Sequence, residues 1–224
     1  MKINADFSRR VVVRAARSEW IASPMPGVER QMLDRIGGEV ARATSIVRYA
    51  AGSHFSEHTH SGGEEFIVLD GVFQDEHADY PTGSYVRNPI GTYHTPRSDD
   101  GCTIFVKLWQ FDEADRKQFS LDLNALNPGE TGDGMSSVVL HRHGTEEVSF
   151  EVWQAGAACT LADAGGIELL VLGGELSLDG THVAERDWLR LPANESCEVM
   201  AGPHGARIWV KRGHLRDIKV PPQG

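Results

Sequence analysis

The stretch GSHFSEHTHSGGEEFIVLDG, residues 52–71, decides how this chain is read, together with GSYVRNPIGTYHTPRS at 83–98. Phe66-Ile67-Val68-Leu69 is an apolar run of strand length and composition, closed by Asp70-Gly71. On an extended chain, residues two apart share a face, so His58 and His60 send their imidazoles to the same side. The Ser61-Gly62-Gly63 turn then brings Glu64 back alongside them, and Pro89-Ile90-Gly91 shapes the turn that presents His94 from a later strand. Three neutral imidazole nitrogens and one carboxylate oxygen meeting at a point make a divalent-metal site. Four protein donors of this kind leave positions open for water or a ligand, as reactive rather than closed sites do. The expected ligands are therefore His58, His60, Glu64 and His94.

Outward from this stretch, the pattern continues as short apolar runs closed by Gly, Pro, Asp or Asn: SIVRY at 45–49, SYVRNP at 84–89 and TIFVKLWQF at 103–111. Such spacing predicts an all-β sandwich or barrel. It also repeats. FIVLDG at 66–71 answers LLVLGG at 169–174, SYVRNPIGTYH at 84–94 answers DWLRLPANESC at 187–197, TIFVK at 103–107 answers RIWVK at 207–211, and SIVRYAAG at 45–52 answers SFEVWQAG at 149–156, all 103 or 104 residues apart. The chain is thus expected to hold two copies of one β unit. We place an N-terminal arm at 1–42, packed on the first lobe and carrying a short strand at Arg10–Arg14, and a metal-binding lobe at 43–120. A turn-rich connector follows at 121–135, then a degenerate lobe at 136–215 and a tail at 216–224. Glu113–Leu121 is expected to form one short helix.

The second copy serves as an internal control. At an offset of 103, His58 becomes Leu161, His60 becomes Asp163, Glu64 becomes Ile167 and His94 becomes Cys197. One carboxylate and one thiol beside two aliphatic residues hold a metal poorly, so the second lobe is expected to be metal-free. Arg87 and Lys107 have counterparts in Arg190 and Lys211. Persisting where the ligands do not, they are expected to serve the fold rather than chemistry.

Composition narrows the function classes. Hydrophobic residues at 40% and charged residues at 24% are ordinary globular values. The net charge of −10, with no basic cluster, argues against nucleic acid as a partner. No apolar run is long enough to span a membrane, and the start MKINADFSRRVVV lacks the apolar core of a signal peptide. Cys102, Cys159 and Cys197 are odd in number and widely spaced, which is no disulfide framework and leads us to expect a reducing, cytoplasmic setting, with the Cys102 and Cys197 thiols buried and inert.

The two quoted stretches resemble the cupin superfamily. Its motifs, G(x)5HxH(x)3,4E(x)6G and G(x)5PxG(x)2H(x)3N, match from Gly52 to Gly71 and from Gly83 onward at each position but the last, where Ser98 stands in place of Asn. The pattern allows three or four residues before the acid. Six residues separate Glu64 from Gly71, which prefers Glu64 over Glu65 as the ligand and leaves Glu65 an exterior carboxylate on the opposite face. The resemblance implies a bicupin, two tandem jelly-roll barrels.

A closer likeness, to the cupin portion of ChrR-type anti-sigma factors, rests on SPMPGVERQMLDRIGGEVARATSIVRYAAGS at 23–53, HTHSGGEEFIVLDGVFQDEHADYPTGSYVRNP at 58–89 and GCTIFVKLWQF at 101–111. The degenerate second lobe extends it to about residue 215. That resemblance implies a zinc ion on His58, His60, Glu64 and His94, with iron, nickel or manganese compatible with the same donors, and a role in sensing a small molecule or oxidant. The family's regulators also carry an N-terminal sigma-binding domain with a His-x3-Cys-x2-Cys motif. This sequence has no such motif, so no sigma-factor clamping is expected of this chain alone. The competing expectation is a cupin-type non-heme iron dioxygenase acting on a small carbonyl compound. Exposed sheet edges in such barrels commonly pair across a two-fold, which makes a homodimer the expected assembly.

Overall fold

The computed structural model describes residues 1–222, and nearly all regular structure in it is antiparallel strand. The chain divides into two units. The first comprises Met1–Ala5, Glu19–Ala125 and the segment from Lys219; the second comprises Asp6–Ser18 and Leu126–Ile218.

In the first unit, the main sheet runs in the order Lys2–Ile3, Val28–Gly37, Ala41–Tyr49, Cys102–Leu108, Glu64–Gln74, Ser84–Asn88, Phe119–Asp122. Strand neighbours that are distant in sequence mark the jelly-roll connectivity. The apolar alternation sets one face inward. Val86 lies opposite Phe66, which lies opposite Val106, and Val68 lies opposite Ile104, which lies opposite Val47. Phe66, Val68, Phe73, Ile104 and Val106 form one buried cluster, each large side chain contributing about 2–3 kcal/mol by leaving water. A two-stranded ladder of His58–Thr59 and Tyr93–His94 lies outside the main sheet.

The second unit repeats this order with Met135–His143, Glu146–Trp153, Ser196–Arg212, Ile167–Leu178 and Trp188–Leu191. Its inward face is filled. Leu161, Ile167 and Cys197, the counterparts of three expected ligands, are buried in one apolar cluster with Leu169, Val171, Ile208 and Val210.

Two sequence expectations are corrected. The N-terminal arm does not pack as one piece on the first lobe. The expected strand exists at Val11–Val13, but it pairs with Trp188–Leu191 of the second unit, Val12 opposite Leu189, and Arg10 is ion-paired with Asp179 and Glu195. Residues 28–37 are a full strand of the first sheet rather than an arm. The helix expected at Glu113–Leu121 is absent. Asp112 Oδ1 accepts from the Ala114 N–H in a turn, and Phe119–Asp122 is a strand along the edge of Ser84–Asn88, with Phe119 opposite Arg87. In both units the free edge of the same strand needs a partner for its backbone groups. The first unit takes it from Phe119–Asp122 and the second from Val11–Val13. Among the described residues, no helix is long and apolar enough to cross a membrane.

Candidate metal centre

The structure brings all four sequence-predicted residues together. His58 stands directly opposite His94 in their two-stranded ladder. His60 follows just past the strand, its backbone N–H donating to Thr92 O at 2.8 Å and its carbonyl accepting from the Gly91 N–H at 3.0 Å. The three imidazole rings lie 4.6–5.2 Å apart, centre to centre. Glu64 opens the long strand of the first sheet, opposite Asn88 and Leu108. The turn before it requires glycine. A Cβ on Gly62 would sit 2.2 Å from the Trp109 ring, and Gly63 has φ +74 with the Phe111 ring 2.4 Å from where its Cβ would be. The aromatic residues that follow the Cys102–Leu108 strand thus press the turn flat and aim Glu64 at the histidines.

One potential ligand atom from each of the four residues lies within 4.8 Å of the others. His60 Nε2 is 3.4 Å and His94 Nε2 3.6 Å from the same Glu64 Oε1. Two atoms bound at about 2.1 Å to one ion are about 3.0 Å apart at a right angle and about 3.4 Å apart at the tetrahedral angle, so these separations suit ligands of one ion, and an ion of coordination five or six would keep positions free beside the four. Hydrogen bonding points the same way. Thr92 Oγ1 donates to Pro89 O at 2.7 Å, so at 2.9 Å it accepts from His60 Nδ1–H. Asp75 Oδ2, an acceptor, takes His94 Nδ1–H at 3.2 Å, and its Oδ1 is held by the N–H groups of His77 and Ala78 at 2.8 and 3.0 Å. The Ser56 carbonyl faces His58 Nδ1 at 3.4 Å. His60 and His94 therefore use Nδ1 as a donor and turn the Nε2 lone pair inward. His60 Nε2 and His94 Nε2 are buried without a hydrogen-bond partner. Imidazoles oriented by carboxylate and hydroxyl groups behind them, with bare nitrogens converging on a carboxylate, fit a divalent cation.

Burial holds the His60 imidazole below its ordinary pKa, with Glu64 pulling partly against it. Burial also acts to lower His94, but the Asp75 hydrogen bond and the Glu64 charge outweigh it and leave that ring raised. Asn88 Nδ2 donates to Glu64 Oε1 at 3.4 Å, a long bond that steadies the carboxylate. His58 is exposed, while His60, Glu64 and His94 are buried, so the group sits at the mouth of an interior space. That space is a cavity of about 310 Å³, walled largely by Val47, Tyr49, Phe73, Ile104, Val106 and Leu108 and open to all four residues.

Glu65 is neither a ligand nor an exterior carboxylate. It is buried, pairs with Arg87 at 2.8 Å and accepts from the Tyr85 hydroxyl at 2.8 Å, while Arg87 reaches Asp115 at 2.7 Å. Arg87, Lys107, Arg190 and Lys211 are all fully buried, and neither Arg87 nor Lys107 lines the cavity, in keeping with a role in the fold. Burial pushes the Cys102 and Cys197 thiols up to about 11, so they stay protonated and unreactive at neutral pH.

Sequence reasoning missed the groups behind the ligands: Asp75, Thr92 and Asn88. The repeat carried a signal for two of them. At the offset of 103, Asp75 becomes Leu178 and Asn88 becomes Leu191, polar residues of the first lobe answered by apolar ones where the ligands are also lost.

Two antiparallel units of one strand order, the first with a His-His-Glu-His cluster at its cavity, define a bicupin with a possible metal site. Residues 8–112 match the family described as the ChrR cupin-like domain. No curated protein is significantly similar in sequence. Solved structures that share the fold include a provisionally assigned dioxygenase of Nostoc punctiforme, at 14% identity over 97% of this chain and 87% of that one, with a TM-score of 0.76. The pirin YhhW of Escherichia coli, in complex with nickel(II), matches at 12% identity over 91% and 98%, with a TM-score of 0.67. The salicylate 1,2-dioxygenase of Pseudaminobacter salicylatoxidans matches at 12% identity over 93% and 84%, with a TM-score of 0.65.

Proposed function

We propose that this chain is a metal-dependent small-molecule-binding cupin of the ChrR kind, a sensor module in which one divalent ion held by His58, His60, Glu64 and His94 is the point where a ligand or oxidant is read. The observation that carries this reading is the pair of buried, unpartnered Nε2 atoms 3.4 and 3.6 Å from one carboxylate oxygen. An ion bound there would supply Lewis acidity and open coordination positions to a molecule in the cavity. The chain's own part is to orient the imidazoles through Thr92 and Asp75 and to surround a small molecule with apolar wall. Zinc is the metal we expect for a sensor. Metal analysis of protein purified without nickel resin should find about one ion per chain, lost in His60→Ala and in His94→Ala and retained in Cys197→Ala. Less than a tenth of an ion in the wild type after incubation with zinc or iron would end the reading.

A second reading, a cupin-type non-heme iron dioxygenase acting on a small carbonyl compound, is favoured by the likeness to proteins described as dioxygenases and by the open cavity beside the cluster. Iron-loaded protein consuming oxygen with a 1,3-diketone or an aryl ketone would support it. No uptake across such compounds would remove it and leave the sensor.

A further inference from the structure

The cavity wall contains two charged side chains outside the candidate metal cluster, Arg30 and Glu39. Arg30 lies on the Val28–Gly37 strand opposite Val47, which lies opposite Ile104, in turn opposite Val68, so Arg30 belongs to the inward face of the sheet. It lines the same cavity as His58, His60, Glu64 and His94. Its Nε is buried without a hydrogen-bond partner, and its Nη2 makes only a 3.4 Å contact to Ser23 Oγ. Glu39 also lines the cavity, yet it forms no ion pair with Arg30, and among the described residues no carboxylate lies within ion-pair distance of this guanidinium. Arg30 is half-buried with its Nε enclosed, and an enclosed N–H left without an acceptor is costly unless a bound group completes it.

We propose that Arg30 is the anion-recognising residue of the cavity and that the molecule bound there is a small organic carboxylate with an apolar body. The guanidinium fork matches a carboxylate in two parallel hydrogen bonds, which an amide or ketone cannot accept in the same way. The apolar wall suits a hydrocarbon or aryl body, and the volume of about 310 Å³ limits it to a small one. A divalent ion against Glu64 would leave one positive charge in the cavity; Arg30 adds a second and Glu39 cancels one, so the metal-loaded cavity favours an anion, while in the metal-free form the preference rests on the guanidinium fork alone.

This inference deepens the small-molecule reading but does not need the metal for its test. Binding of a series from acetate through benzoate to 3-phenylpropanoate, each against its primary amide, is measured by calorimetry on metal-loaded and metal-free full-length protein. In the wild type, at least one carboxylate should bind about 10-fold or more tighter than its amide, and Arg30→Gln should weaken that carboxylate about 10–100-fold while leaving the amide and the metal content unchanged. Arg30→Lys, which keeps the charge without the fork, should fall between the two and serves if Arg30→Gln does not fold. The inference is overturned if no carboxylate in the series is preferred over its amide in either form of the wild type, or if the preference survives loss of the guanidinium. If the chain holds no metal, the same comparison in metal-free protein still decides the role of Arg30.

Discussion

Two adjacent glutamates in this chain have opposite fates, and only the pleat separates them. Glu64 faces the imidazoles, whereas Glu65 is buried on the other face against Arg87 and Tyr85. Removing one partner of a buried ion pair leaves the other uncompensated, so Glu65→Ala should lower stability by about 3 kcal/mol in urea unfolding while metal content stays at the wild-type level. Loss of metal with intact stability would instead make Glu65 the ligand. Asp75 should behave the other way round. It holds His94 Nδ1 at 3.2 Å and fixes which nitrogen faces the site. Asp75→Asn is expected to weaken metal binding about 10–100-fold in a chelator competition. An unchanged affinity would show that the ring is oriented without it.

At the scale of the elements, the turn at Gly62-Gly63 is where the fold meets the site. Gly52 and Gly63 share φ +74, but a Cβ on Gly52 would meet nothing within 4 Å, while on Gly63 it would lie 2.4 Å from the Phe111 ring. Gly52→Ala should therefore cost only the backbone strain, about 1 kcal/mol, and Gly63→Ala at least about 2 kcal/mol together with weaker metal binding. Equal costs in thermal or urea unfolding would mean that Phe111 yields freely. Gly165 and Gly166 hold the matching place in the second unit, where the Gly213 N–H donates to Gly166 O at 3.0 Å just as the Trp109 N–H donates to Gly63 O at 3.1 Å. The glycine pair outlives the ligands, which shows that it belongs to the fold first. The edge strands were harder to foresee. Glu113–Leu121 has no apolar period of either kind, and its strand at Phe119–Asp122 exists because the Ser84–Asn88 edge offers it a ladder.

Across the whole molecule, one strand order supports two interiors. The second unit is packed with Leu161, Ile167 and Cys197 where the first keeps the polar candidate ligands and a cavity. A ligand that binds only the native state stabilises what it binds by mass action. Stripping the metal should accordingly speed hydrogen exchange in the first unit, at 58–75 and 84–94, and leave Ile167–Leu178 as protected as before. Equal changes in both units, or none in the first, would contradict a metal confined to the first barrel.

The amino-acid sequence by itself determined the all-β class, the repeat and the four residues of the cluster. Those features depend on spacing along one strand, on the period-two pleat and on glycine turns, all of which are local. Tertiary structure decided the rest: that Val11–Val13 completes the second sheet, that Phe119–Asp122 completes the first, that Thr92 and Asp75 turn the imidazole nitrogens inward, and that Arg30 faces the cavity. Each of these is a matter of register between segments far apart in sequence, and that register is set only when the strands pair.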